Sequence, residues 1–72
     1  MLRIGDFVQH KQTDLTGVVI GYGHQIIDDI YLPTLVVHLD RSSVFSRKGI
    51  MEDLSSEWLP VEAKMLVHAA SS

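Results

Sequence analysis

The sequence predicts an all-β domain: a small, strongly bent barrel of five strands, with a flatter antiparallel sheet completed by a partner subunit as the alternative, and a C-terminal tail or short helix. Three observations predict it. A Gly5-Asp6 turn opens a short apolar strand at Phe7-Val8-Gln9-His10. Gly17 then opens a longer one, Gly17 to Ile27, dense in the β-branched residues that favour strands. Beyond it, short apolar runs alternate with Asp-, Ser- and Pro-bearing breaks, the pattern of a chain of hairpins.

The elements follow in order. Strand one is Phe7 to His10; Lys11 to Thr16 is a polar connection with Asp14 and Thr16 as turn residues. Strand two, Gly17 to Ile27, contains Gly21 and Gly23. Glycines within a strand mark a bulge, a bend or a close backbone approach, and two of them two positions apart share a face. Asp28-Asp29 between two apolar runs predicts a hairpin turn. Pro33 cannot donate to a ladder, which places it at an edge or a strand start and begins strand three at Thr34. Alternation to Leu39 puts Leu35, Val37 and Leu39 on the core face and Val36 and His38 on the other. Asp40 to Ser43 starts a loop, and the segment up to Gly49 has no pattern. Ile50 to Leu54 is strand four, Ser55 to Trp58 one tight helical turn, and Leu59-Pro60-Val61 a closing strand. Residues 1–61 thus form the barrel. Residues 62–72 carry helix formers without a stop signal, and Met65, Leu66 and Val67 there need a surface to bury against.

The totals narrow the function. A chain of 72 residues is one domain with a thin core. There is no cysteine, so no disulfide or thiolate site reinforces it. Yet 46% of the residues are hydrophobic. A thin core cannot take them all, so the excess belongs to the surface or to an interface, and the chain is expected to form a homo-oligomer. Net charge is −3, which gives no general attraction to nucleic acid or to an anionic membrane. The longest uncharged run, Leu15 to Ile27, is interrupted by glycines and falls short of the about 20 residues of a membrane span. Charged residues at Arg3, Asp6, Lys11 and Asp14 break any signal core, so the chain reads as cytoplasmic.

The residues Ile4-Gly5-Asp6-Phe7-Val8-Gln9-His10 followed by Gly17-Val18-Val19-Ile20-Gly21-Tyr22 resemble the SH3-like barrels. Within that class they are similar to the start of the heat-shock protein HspQ family, a likeness that implies a link to hemimethylated DNA. Gly5-Asp6-Phe7-Val8, Leu32 to Leu39 and the closing Glu52 to Val61 resemble the RNA-polymerase-interacting domain of CarD-type regulators, which implies a protein partner. The chain lacks the longer helical region of the CarD type, and its 40–48 segment has no equivalent in either.

Candidate sites are few. Arg41, Arg47 and Lys48 form the only basic cluster; with the neighbouring serines, and with Lys11, they are the candidate phosphate contacts of a nucleic-acid-associated regulator. Phe45 is the only aromatic beside them, a thin platform for stacking bases. The four histidines lack the close pairing of zinc ligands, although a hairpin would allow His24 to approach His38. With Gly21 and Gly23 these two define a candidate small-ligand pocket between subunits. Trp58 is either a lid on the core or an interface anchor. Tyr22, Ile30, Tyr31 and Trp58, joined by Met65 and Leu66, make the candidate protein interface. The adjacent carboxylates Asp28-Asp29 and Glu52-Asp53 point to opposite faces of a strand and form no acid–base couple. No nucleophile elbow, phosphate loop or metalloprotease motif occurs. The expectation is therefore a non-enzymatic, cofactor-free interaction module that self-associates and binds another protein.

Overall fold

The computed structural model describes residues 2–40 and 49–61. Five strands form one antiparallel sheet: β1 (Phe7–His10), β2 (Thr16–Ile27), β3 (Ile30–Leu39), β4 (Ile50–Leu54) and β5 (Trp58–Pro60), with a 3-10 turn at Ser55–Glu57. Their order across the sheet is β4-β3-β2-β1-β5. The all-β class is as the sequence predicts, and β4 matches its expected limits. The sheet is not closed into a barrel by hydrogen bonds, because β4 and β5 are its two edges. The 3-10 turn links those edges covalently.

One face of the sheet forms the core. Val8, Val19, Leu35, Val37, Leu39 and Trp58 are buried there, with Leu2, Leu15 and Met51 packed against them. The alternation expected for β3 holds, with Val36 half-buried and His38 exposed on the other face. Gly17 sits where β1, β2 and β3 are drawn tight, opposite Val8 and Leu39. A Cβ there would collide with the His38 carbonyl oxygen and lie 2.8 Å from Val37 Cγ1.

Several boundaries differ from the sequence expectation; β2 starts one residue early, at Thr16, and the 3-10 turn ends at Glu57 rather than Trp58. β3 starts at Ile30 and runs through Pro33, which pairs with His24. The break expected at Pro33 is absent because β4 reaches only as far as Thr34. Pro33 lies beyond that limit, where its missing N–H deprives no neighbouring strand. The closing strand begins one residue early, at Trp58, and Val61 follows it with its N–H donated to the Phe7 carbonyl at 2.9 Å. The expected tail or helix of residues 62–72 and the loop of residues 41–48 lie outside the described residues.

Candidate interaction surface

β1 accompanies β2 only through Thr16–Val18. Gly5 and Asp6 extend the contact by one residue, with Gly5 N–H donated to the Val19 carbonyl (2.8 Å) and Val19 N–H to the Asp6 carbonyl (3.0 Å). On the other side β4 covers β3 from Thr34 to His38. The rest of the long hairpin, residues 20–33, leaves the sheet as a two-stranded arm. Its turn is Asp28-Asp29, both residues with positive φ (52° and 64°). That is the type I′ geometry that matches the twist of paired strands.

The arm is apolar on both faces. Tyr31 is 68% exposed, Ile30 59%, and Tyr22 and Ile26 57% each; Ile20 and Ile27 are exposed beside them. Pairing sets the faces. Tyr22 opposite Leu35, His24 opposite Pro33 and Ile26 opposite Tyr31 lie on the core side of the sheet. Gly21, Gly23, Gln25 and Ile27 lie on the reverse. The His24 and Tyr31 rings meet at 5.1 Å on the first face. Tyr22 anchors the root of the arm: its hydroxyl accepts the Ile4 N–H at 3.2 Å and donates to the Leu2 carbonyl at 3.4 Å. Next to it Leu2, Pro33, Leu35, Ser55 and Ser56 line a largely apolar cleft.

The bend expected at Gly21 and Gly23 falls one residue earlier. Val19 pairs with Val37 and Gly21 with Val36, so Ile20 is the extra residue of a β-bulge. Gly23 supplies the close approach. A Cβ there would collide with the Glu52 carboxylate and lie 2.8 Å from Thr34 Oγ1. Glu52 uses that space to accept a hydrogen bond from the buried Thr34 hydroxyl at 2.6 Å.

Within one chain Gly21, Gly23, His24 and His38, the residues of the ligand pocket expected between subunits, do not converge. His24 pairs with Pro33 in the arm, whereas His38 pairs with Val18 at the far end of β3 and on the opposite face. Five positions along β3 and the two faces of the sheet separate the two histidines. No group of three or more potential metal ligands occurs among the described residues. Trp58 is also not a surface residue of this chain: it is 3% exposed, packed in the core, with its indole Nε1 buried and without a hydrogen-bond partner. Of its two expected roles, the structure gives the core lid, and the aromatic pair of Tyr22 with Trp58 does not form on the surface. Tyr22, Ile30 and Tyr31 are gathered on the arm; Met65 and Leu66 lie outside the described residues. Of the basic candidates, Lys11 is exposed in the β1–β2 connection, while Arg41, Arg47 and Lys48 lie outside the described residues.

Sequence reasoning gave His10 no role, and the structure gives it one. His10 is 2% exposed. Its Nδ1 accepts the N–H groups of Gln12 and Thr13, each at 3.3 Å, and faces the Thr13 hydroxyl at 3.2 Å. This pattern assigns the ring proton to Nε2, which is donated to Asp53 Oδ2 at 2.7 Å. Trp58 packs edge-on against the imidazole, ring centres 4.8 Å apart. Carboxylate, imidazole and hydroxyl follow one another as in a nucleophilic triad. Here, however, the imidazole is sealed in the core and the Thr13 hydroxyl accepts the Leu15 N–H. The group clamps the β1–β2 connection to β4 across the inner face.

No described helix is long and apolar enough to cross a membrane. No protein-family model, no curated protein and no solved structure matches the chain.

Proposed function

We propose that this protein is a non-enzymatic, cytoplasmic interaction module of the SH3-like type, which self-associates and binds another protein through the β2–β3 arm. One observation carries the reading: the arm projects from a very small core yet presents Tyr22, Ile26, Ile30 and Tyr31, each more than half exposed. Monomeric domains rarely leave large apolar side chains clustered in this way. The resemblance of Gly5 to Val8 and of the closing Glu52 to Val61 to the RNA-polymerase-interacting domain of CarD-type regulators adds support, since it implies a protein partner.

Sedimentation velocity across a wide concentration range tests it. The expected result is a dimer or larger species, and a variant with Ile30→Asp and Tyr31→Ser shifts it to the monomer. A species of 8.1 kDa throughout, unchanged by the double variant, overturns self-association. Nucleic acid is the competing class of partner. Its signature is an affinity that falls steeply with added salt. The expected result is no binding of DNA or RNA even at low salt.

A further inference from the structure

Resting on that reading, the backbone of the arm points to a specific occupant. We propose that a second copy of the chain pairs with it, β2 against β2, antiparallel, about a two-fold axis at His24.

The two-residue turn makes Ile27 and Ile30 a hydrogen-bonded pair. Antiparallel bonding then alternates along the ladder. Gln25 with Leu32 and Gly23 with Thr34 exchange bonds, so Tyr22, His24 and Ile26 turn their N–H and C=O groups away from β3. The far end of the strand agrees, since Val19 directs its own groups outward to Gly5 and Asp6. Among the described residues, no strand accompanies β2 beyond Val19 on that side.

Proteins that stay monomeric guard such edges with charge, proline or brevity. The other free edges of this sheet are guarded. β4 carries Glu52 and Asp53, β5 has three residues and ends in Pro60, and the β3 side of the arm has Pro33. The β2 edge from residue 20 to residue 27 has no charged residue and no proline. In a chain of net charge −3 it is the stretch that brings a second copy close without setting acid against acid.

The register follows from the residues. An axis at His24 sets Tyr22 against Ile26 of the second copy, and Ile26 against its Tyr22, giving an aromatic–β-branched pair on each side. It sets Ile27 against Gly21, whose reverse face is open: a Cβ there would meet only Val36 Cβ, at 3.8 Å. Moving the axis to Gln25 puts Tyr22 against Asp28. Moving it to Gly23 puts Ile27 against Val19, whose backbone Gly5 and Asp6 already occupy. The His24 register forms about six new backbone hydrogen bonds and joins two five-stranded sheets into one.

Amide hydrogen exchange on the whole chain, read residue by residue over a dilution series with sedimentation on the same samples, tests the pairing. The amides of Tyr22, His24 and Ile26 are expected to slow by about 100-fold or more where the dimer forms, and to return to open rates on dilution. A dimer in which these three amides stay fast overturns the pairing and leaves self-association standing. A monomer at every concentration overturns both. In a second measurement, His24→Lys sets like charges across the axis and is expected to weaken dimerisation at least about 10-fold, while Leu59→Lys on exposed β5 adds the same charge elsewhere and leaves it as it was. Equal effects of the two substitutions overturn the pairing.

Discussion

His10 shows how much one side chain carries where the described residues bury six apolar side chains. Its two ring nitrogens serve different purposes: Nδ1 accepts from the β1–β2 connection, and Nε2 donates to Asp53 on β4. Truncation removes both at once and leaves a half-buried carboxylate without its imidazole. His10→Ala is therefore expected to destabilise the fold by about 2–4 kcal/mol, read as a lower urea midpoint. A change under about 0.5 kcal/mol would show that the clamp contributes nothing. This role was hidden in the sequence because the bonding partner stands far along the chain, and a histidine in a four-residue strand carries no sign of which face it occupies. The neighbouring inference was legible. Adjacent carboxylates on a strand face opposite ways, and Glu52 indeed turns outward to Thr34 while Asp53 turns inward to His10. For Gly23 the sequence allows a bulge, a bend or a close approach, and the structure gives the last, by the Glu52 carboxylate. Trp58 was left between two roles because its residue type suits either; only packing against His10 decides between them.

At the scale of the element, the arm owes its existence to its turn. Asp28 and Asp29 both hold positive φ, a region where a side chain costs energy and glycine sits freely. Aspartate tolerates the first position well, and Asp-Gly is a preferred pair for this turn type. Asp29→Gly is expected to stabilise the protein by about 0.5–1 kcal/mol without changing the register. An unchanged or lower urea midpoint would contradict the turn geometry. The hairpin itself was legible from two aspartates between apolar runs. The length of β3 was not. Pro33 reads as a break only when the strand is taken to have neighbours on both sides, and here β4 stops at Thr34. The bulge at Ile20 was legible as a disturbance, and the two nearby glycines displaced its expected position by one residue. A bulge is set by the pairing of both strands, and the sequence of one strand fixes it only approximately.

For the molecule as a whole, the tension lies between a thin core and an apolar composition. The hydrophobic share of 46% predicts an excess on the surface, and the described residues place much of it on the arm. The succession of the five strands along the chain was legible from turns and β-branched runs, since each lies between short breaks. The choice between a closed barrel and a flatter sheet was not, because closure depends on how far the edges β4 and β5 approach across the inner face. If association supplies part of the stability, the thermal midpoint depends on concentration, because a partner that binds only the folded state shifts the equilibrium by mass action. The midpoint is expected to rise by several degrees over a hundred-fold increase in concentration. A flat dependence would mean that the core alone sustains the fold.

The two-residue turn also sets an order in time. A hairpin closed by so short a loop forms within about 1–10 μs, because little chain entropy is lost in bringing its strands together. β5 must instead find β1 from the opposite end of the described chain, as in the pairing of Val8 with Pro60. During synthesis, β2 and β3 also leave the ribosome before β4 and β5 do. The earliest structure is thus the hairpin that bears the uncharged edge, and a nascent chain meets its neighbours through that edge before its own core has been completed.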